Sequence, residues 1–398
     1  MSPSDAVIVD IVRTASGKGK VSGVLHGTHP ANLLADVIRA VVSRNGIAPD
    51  QVDDVIAGCS IQAGDQAANI ARTASLLAGL AESVPGTSID RQCGSSQQAA
   101  HFAAQGVLAG AYDIVVACGV ESMSRVVMGM AARGGDPQGP LVSRYPDGLV
   151  NQGVSAELIA ARWKFSWTDL DEYSARSHEL AAATAANGGF DNEILPIEIA
   201  GEDGTTFTHK VDETVRASTT VEGLGGLQPS FYDEAVAERF PEIDWRITPG
   251  NSSPLTDGAS AALIMSAAKA EELGLKPRAR FHSFAVTGSD PLLMLTGVVP
   301  ATQQVLARSG LSIDDIDAYE VNEAFAPVPL VWARELNADM AKLNPRGGAI
   351  ALGHPMGSSG TRLLSTLLNH LEQTGGRYGL QTMCEGGGMA NATIIERL

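Results

Sequence analysis

Cysteine is scarce in this chain. Four thiols (Cys59, Cys93, Cys118 and Cys384) are spread over 398 residues with no CxxC spacing, so neither a disulfide framework nor a paired-cysteine zinc site is available. Basic residues are also short: 28 Lys and Arg face 45 Asp and Glu, a formal charge of −17. A chain of that sign repels phosphate backbones and anionic lipid, which argues against nucleic acid as a partner. A small anionic ligand is compatible with it, because such a ligand responds to local Arg side chains, helix N-termini and backbone N–H groups. Long apolar runs are missing too, and the first short one, from Ala6 to Val9, ends at Asp10; nothing here would cross a bilayer. The expectation is a soluble, unprocessed cytoplasmic protein. No GxxxxGK(S/T) loop is present for phosphoryl transfer, and no His-x-x-x-His pair for a metal.

What the chain does have is glycine, 43 residues of it, well above the usual ~7%. Hydrophobic residues at 44% and charged residues at 18% suit a folded chain long enough for two or three domains. Short β-branched runs alternate with amphipathic stretches, which is the α/β pattern. Val7 to Val12, Val55 to Gly58, Thr87 to Asp90 and Ile114 to Ala117 read as strands, and 31–45 and the Ala-rich 95–109 as helices. The C-terminal third repeats this plan, with helices over 301–309 and about 358–373, and strands over 316–321, 349–353, 379–384 and 391–396. Val52-Asp53-Asp54-Val55 aligns with Ile313-Asp314-Asp315-Ile316, and the same spacing carries Cys93 onto His354. The halves therefore read as a duplication.

Between them the composition changes. Gly, Pro and Asp accumulate from Gly134 to Gly148, a helix follows that Thr168 and Asp171 would open as a capping box and Gly188-Gly189 would close, and turns are expected at 201–204 and 223–226. The expected division is a first core half over 1–121, completed by 251–275, an inserted loop domain over 122–250 that carries ligand contacts, and a second core half over 276–398.

Three clusters carry chemistry. In Asp90-Arg91-Gln92-Cys93-Gly94-Ser95-Ser96 a cysteine stands where a strand gives way to a helix. There the unpaired N–H groups and the dipole should favour thiolate and could hold an oxyanion; the plainer alternative is a buried cysteine in a Gly-Ser turn. In Gly353-His354-Pro355, an apolar strand should deliver an imidazole into a loop of small residues before a helix, a placement suited to a general base, unless the histidine only caps that helix. In Cys384-Glu385-Gly386-Gly387-Gly388, a thiol at a strand end meets close-approaching backbone donors, unless this is merely a tight turn. Asn322, closing another apolar strand in Asn322-Glu323-Ala324-Phe325, could position a water or a carbonyl, or cap the next helix. Cys59 and Cys118 read as small core residues.

Taken together and in this order, these segments resemble the thiolase family along nearly the whole chain. The nucleophile segment, the NEAF motif at 322–325, the GHP motif at 353–355 and the CxGGG motif at 384–388 all match, and residues 248–261 are similar to the segment that touches the pantetheine arm of CoA, with Ser253 at the contacting serine. The resemblance implies two βαβαβαββ core halves with an inserted CoA-binding loop domain. It implies Cys93 as nucleophile, His354 as its base and Cys384 as acid and base on the second carbon. Oxyanion donors would be the N–H groups of Cys93 and Gly386 on one side, and His354 with a water held by Asn322 on the other. CoA is then a substrate and no cofactor is required; Arg216 is a candidate for its phosphates, and a homodimer or homotetramer is expected. Asn151-Gln152-Gly153 replaces the His-Met-Gly of short-chain biosynthetic members, and the tail from Gly376 to Leu398 is similar to bacterial thiolases of sterol side-chain breakdown. The reading is thiolysis of 3-ketoacyl-CoA, with acetyl-CoA condensation as the alternative. A decarboxylating ketoacyl synthase would carry a histidine in place of Cys384, and a silent lipid-binding relative would lack one of the three groups.

Overall fold

The computed structural model describes residues 2–200 and 204–398. Nine strands form the main path of one sheet: β1 (Ala6–Thr14), β2 (Asp54–Gly58), β3 (Gly86–Ile89), β4 (Ile114–Ser122), β5 (Thr256–Ser266), β6 (Ala279–Gly288), β7 (Ala318–Val321), β8 (Tyr378–Glu385) and β9 (Met389–Arg397). Their order is β7-β8-β9-β6-β1-β5-β4-β2-β3. Outward from the central β1–β6 pair, the two sides match. Each inner strand is antiparallel to the next (β1 to β5, β6 to β9), that one is antiparallel to a third (β4, β8), and the third is parallel to a fourth (β2, β7). The seam itself is thin, pairing only Val7 with Arg280 and Ile8 with Ala279.

Both faces of the sheet are covered, so its strands are apolar at successive positions rather than at alternate ones. Val7, Val9, Val55, Val116 and Leu263 point towards the outer helices α1 (Pro30–Ser43) and α2 (Ile70–Ala78). Their neighbours Ile8, Ile56, Val115 and Ile264 point inward, onto α3 (Ser95–Leu108) and a long C-terminal helix over Ser359–Thr374. The second half is closed by a helix over Val298–Ser309 and another over Pro327–Leu336. The two central helices touch almost backbone to backbone: a Cβ on Gly360 would overlap Gln97 N.

The strand expected over 349–353 is instead a one-turn helix, Ala349–Leu352. It follows the order that β3 holds in the first half, but the outer edge of β7, where it would pair, is taken by the chain just before it: Tyr319 N–H donates to Lys342 O and Asn344 N–H to Tyr319 O (both 2.9 Å). Its first N–H groups go to side chains instead, Gly348 N–H to Ser177 Oγ (3.0 Å) and Ile350 N–H to Glu323 Oε2 (3.0 Å). With donors satisfied locally, the segment coils rather than extends.

Between β4 and β5 lie helix α4 (Gln152–Arg162), helix α5 (Trp167–Ala186) and a hairpin of Ile197–Ala200 with Thr206–His209. The capping box of α5 is Ser166 with Asp169, not Thr168 with Asp171: Ser166 Oγ accepts from Asp169 N–H (3.1 Å) and Asp169 Oδ2 accepts from Ser166 N–H (2.7 Å). Ser166 is extended and so can cap, whereas Thr168 and Asp171 are already helical. Of the turn expected at 201–204, residues 201–203 lie outside the described residues. Residues 221–224 form a short helix rather than a simple turn.

A buried ion cluster ties this intervening chain to the sheet. Arg13 of β1, fully buried, donates from Nε to Glu193 Oε1 (2.6 Å) and through both terminal nitrogens to Asp212 (2.7 and 3.0 Å).

Candidate active site

The chain leaves β3 at Ile89 and must reverse sharply before α3. Gln92 does this in the left-handed region, φ 50°, a conformation that costs a non-glycine residue about 1–2 kcal/mol. Polar contacts hold it: Gln92 N–H donates to Asp90 Oδ1 (2.7 Å), Arg91 N–H to Ser95 Oγ (3.0 Å), and Ser95 Oγ–H to Gln92 O (2.6 Å). The turn leaves Cys93 one residue ahead of the N-cap of α3, 3% exposed among Leu363, Met383 and Met356.

His354 follows Gly353, whose φ of 82° and ψ of 166° are essentially confined to glycine. The His354 N–H donates to Thr256 Oγ1 of β5 (3.0 Å). Ser359 Oγ lies 2.6 Å from His354 Nδ1 and also 2.9 Å from Pro355 O. The carbonyl can only accept, so the hydroxyl proton goes to Pro355 O and Ser359 Oγ accepts from Nδ1–H. That assigns the tautomer and leaves Nε2 as the free basic nitrogen. It does not cap the next helix, whose N-cap is Ser358.

Asn322 joins the remaining groups. Its Nδ2 stands 3.4 Å from His354 Nε2, and its side chain, together with the Ala324 N–H, favours the thiolate form of Cys384. Asn322 does not cap the following helix, where Ala326 is the N-cap; its Oδ1 has no protein partner. Cys384 is fully buried one residue before the end of β8, and residues 386–388 form the hairpin to β9, with Gly387 and Gly388 at positive φ. Gly386 faces the nucleophile turn: a Cβ there would lie 3.1 Å from Gln92 Oε1 and 3.3 Å from Gln152 Nε2. Cys93 and Cys384 are close enough that each thiolate would repel the other.

The expected lowering of the Cys93 pKa is not what the site produces. Burial pushes the Cys93 thiol well above its ordinary value, and the negative forms of Cys384, Glu385 and Glu121 push the same way. The terminus of α3 is too weak a field to offset desolvation in an apolar wall. Burial also raises Cys384, to about 12, and lowers His354 to about 3, with Arg362 adding to the latter. The resting site therefore holds a neutral thiol and a neutral imidazole, and an ion pair has to be created by what binds. Cys59 and Cys118, both fully buried in the core and raised by desolvation, are structural.

Residues 6–268 match the family described as thiolase, N-terminal domain, and residues 275–397 the one described as thiolase, C-terminal domain. This chain belongs to the thiolase family. It is 46% identical to the steroid 3-ketoacyl-CoA thiolase FadA6 of Mycobacterium tuberculosis, over 99% of this chain and 95% of that protein. It is 42% identical to a 3-ketoacyl-CoA thiolase of Photobacterium profundum, over 99% and 100% of the two chains. Among solved structures, the Bacillus anthracis acetyl-CoA acetyltransferase superposes with a TM-score of 0.88 at 36% identity, covering 99% of both chains.

In this thiolase Ser253 lies beside the centre, donating from N and from Oγ to Ala324 O (3.0 and 3.2 Å). Arg216 lies apart from it, its N–H on His178 Nδ1 (3.1 Å), and lines an open groove with Ser218, Thr220, Leu227 and Gly250. Thr256 and Ser359 touch His354 and are not legible in the sequence as single residues, since each is a common type placed by tertiary packing; Gln152, singled out in the sequence with Asn151 and Gly153, reaches Gly386. Ser359 alone had a local signal, lying five residues after His354 at the start of the next helix. Among the described residues no His, Cys, Asp and Glu cluster is arranged for a metal, and no helix is long and apolar enough to cross a membrane.

Proposed function

We propose that this thiolase cleaves 3-ketoacyl-CoA with CoA, through an acyl group carried on Cys93. The observation that carries the proposal is Asn322 Nδ2 standing 3.4 Å from the unprotonated nitrogen of His354, with the Asn322 side chain favouring the thiolate of Cys384 and the charge of Cys384 opposing that of Cys93. His354 Nε2 takes the proton of Cys93, and the thiolate attacks the 3-keto carbon. The C2–C3 bond breaks, its electron pair forms the enolate of acetyl-CoA, and Cys384 protonates C2. Incoming CoA gives its thiol proton to the Cys384 thiolate and takes the acyl group; Cys93 leaves as thiolate and recovers its proton from His354. No oxidation state changes, so the cycle calls for no redox group. The N–H groups of Cys93 and Gly386 are assigned to the acyl oxygen, and His354 with an Asn322-held water to the enolate.

CoA is assigned to the groove lined by Arg216 and Gly250, with its pantetheine arm passing Ser253 towards Cys93. The matched strand order of the two sheet halves supports a division at residues 121 and 250, with a loop domain between. The assembly is proposed to be a cytoplasmic homodimer or homotetramer. The likeness to a steroid thiolase and the Asn151-Gln152-Gly153 sequence favour a bulky, sterol-derived acyl chain. The superposition on an acetyl-CoA acetyltransferase favours a second reading, condensation of two acetyl-CoA molecules. Thiolysis and condensation assays across acyl lengths test the two; activity confined to acetoacetyl-CoA would overturn the first.

Ser359→Ala removes the acceptor that sets the His354 tautomer. The expected result is a fall in kcat of about 10²-fold, the scale of a misplaced catalytic group, with KM for CoA little changed. An unaltered kcat would show that Ser359 does not orient the base.

A further inference from the structure

The buried carboxyl group of Glu385 has no role in the cycle above, yet it lies at its centre. Glu385 is fully buried, and neither carboxyl oxygen has a hydrogen-bond partner. It follows Cys384 directly, and it fills the space that the absent side chain of Gly94 leaves behind the nucleophile, since a Cβ on Gly94 would overlap Glu385 Oε1. A carboxylate held there without donors would be poorly solvated, so the neutral acid is the stable form. Burial raises its pKa to about 8; Arg91 draws it down and Asp90 pushes it up. Asp90, Arg91 and Cys93 face it from the nucleophile turn, and Cys384 from its own strand. The contact from β9 is Asn391, a neutral amide that donates to Gly94 O (3.1 Å) instead.

We propose that Glu385 is an electrostatic gate on the Cys93 thiol, permissive as the neutral acid and inhibitory as the carboxylate, because its ionisation places a like charge beside the sulfur that must become a thiolate. This deepens the thiolase reading and rests on it for its relevance to turnover. Glu385 is a positioning residue in this role: it touches no reacting atom and exchanges no proton with substrate. The sign is direct. Below pH about 8 the acid is neutral and adds nothing to the opposition that burial, Cys384 and Glu121 already offer the Cys93 thiolate; above it the carboxylate adds its own charge, and the gain in reactivity that alkaline pH should bring is held back.

The test is Cys93 alkylation by iodoacetamide, read by mass spectrometry of the Cys93 peptide, from about pH 6 to about pH 10, in wild type and Glu385→Gln. In wild type the log-rate plot is expected to rise, bend near pH 8, and rise again with a lag of about one pH unit. In Glu385→Gln the bend is absent, and the rate is about fivefold above wild type near pH 9 and about tenfold near pH 10, while the two agree within about twofold near pH 6. Coincident profiles, including no labelling in either protein, overturn the gate. Glu385→Met cannot ionise either and serves if the glutamine variant does not fold; a wild-type plot straight through pH 8 overturns the proposal without any variant. The readout is the sulfur itself. A failure of the thiolase reading would appear as turnover surviving Cys93→Ala, which this measurement does not touch.

Discussion

Cys93→Ala is expected to lower kcat for thiolysis by at least about 10⁴-fold, the scale seen when a covalent nucleophile is removed from a site that otherwise stays intact. The fold should survive, because a small apolar side chain suits the wall of Leu363, Met383 and Met356 around it. Steady-state turnover and mass spectrometry check this together. Wild type incubated with a 3-ketoacyl-CoA in the absence of free CoA should carry the shortened acyl group on the Cys93 peptide, and the variant should carry none. Turnover within tenfold of wild type in a folded Cys93→Ala protein would end the covalent mechanism. His354→Ala is expected to lose less, about 10²–10⁴-fold, because Cys93 can still lose its proton to solvent, slowly.

Arg13→Ala should produce the largest loss of stability. Arg13 neutralises Glu193 and Asp212 with three hydrogen bonds at 2.6–3.0 Å, and both carboxylates are buried. Removing only the cation leaves two unpaired buried charges, a change that costs about 3–5 kcal/mol. A lowered thermal midpoint measures it, and pairing Arg13→Ala with Glu193→Gln should recover part of the loss. The effect should also reach the groove proposed for CoA, since Asp212 lies only four residues before Arg216. KM for CoA is expected to rise more than kcat falls. A midpoint unchanged within a degree or so would mean that the cluster is not what fastens the intervening chain to β1.

The candidate residues were legible from one local rule, a reactive or polar side chain at or just past the end of an apolar segment. Cys384 and Asn322 stand at strand ends, Cys93 lies four residues past β3, and His354 follows the one-turn helix Ala349–Leu352 in place of the expected strand. The duplication was legible too, from a short repeat that the mirrored strand order extends over both halves of the sheet. What stayed hidden depends on groups far along the chain. Ala349–Leu352 is apolar and reads as a strand; it coils because Ser177 and Glu323 take its N–H groups. The ionisation of Cys93 follows from the apolar wall and the negative neighbours that folding assembles, and the helix terminus visible in the sequence is outweighed by them. Glu385 looked like the variable letter of a motif, and only the packing of Gly94 against its carboxyl gives it a place in the site.

The thin seam between the halves has a consequence for how accurately the reaction centre is held. Cys93 and His354 occupy equivalent places in the two repeats, so a single unduplicated unit would own either the sulfur or the imidazole, and a symmetric pair of such units would own one of them twice. Chemistry here requires the two copies to differ at that place. Because β1 and β6 pair at only two positions, the sheet sets the distance between the two groups less firmly than the crossing of the central helices, where Gly360 leaves no space over Gln97. That one contact works as the gauge block of the enzyme: a methyl group added there would move the base relative to the nucleophile while leaving both halves individually well formed.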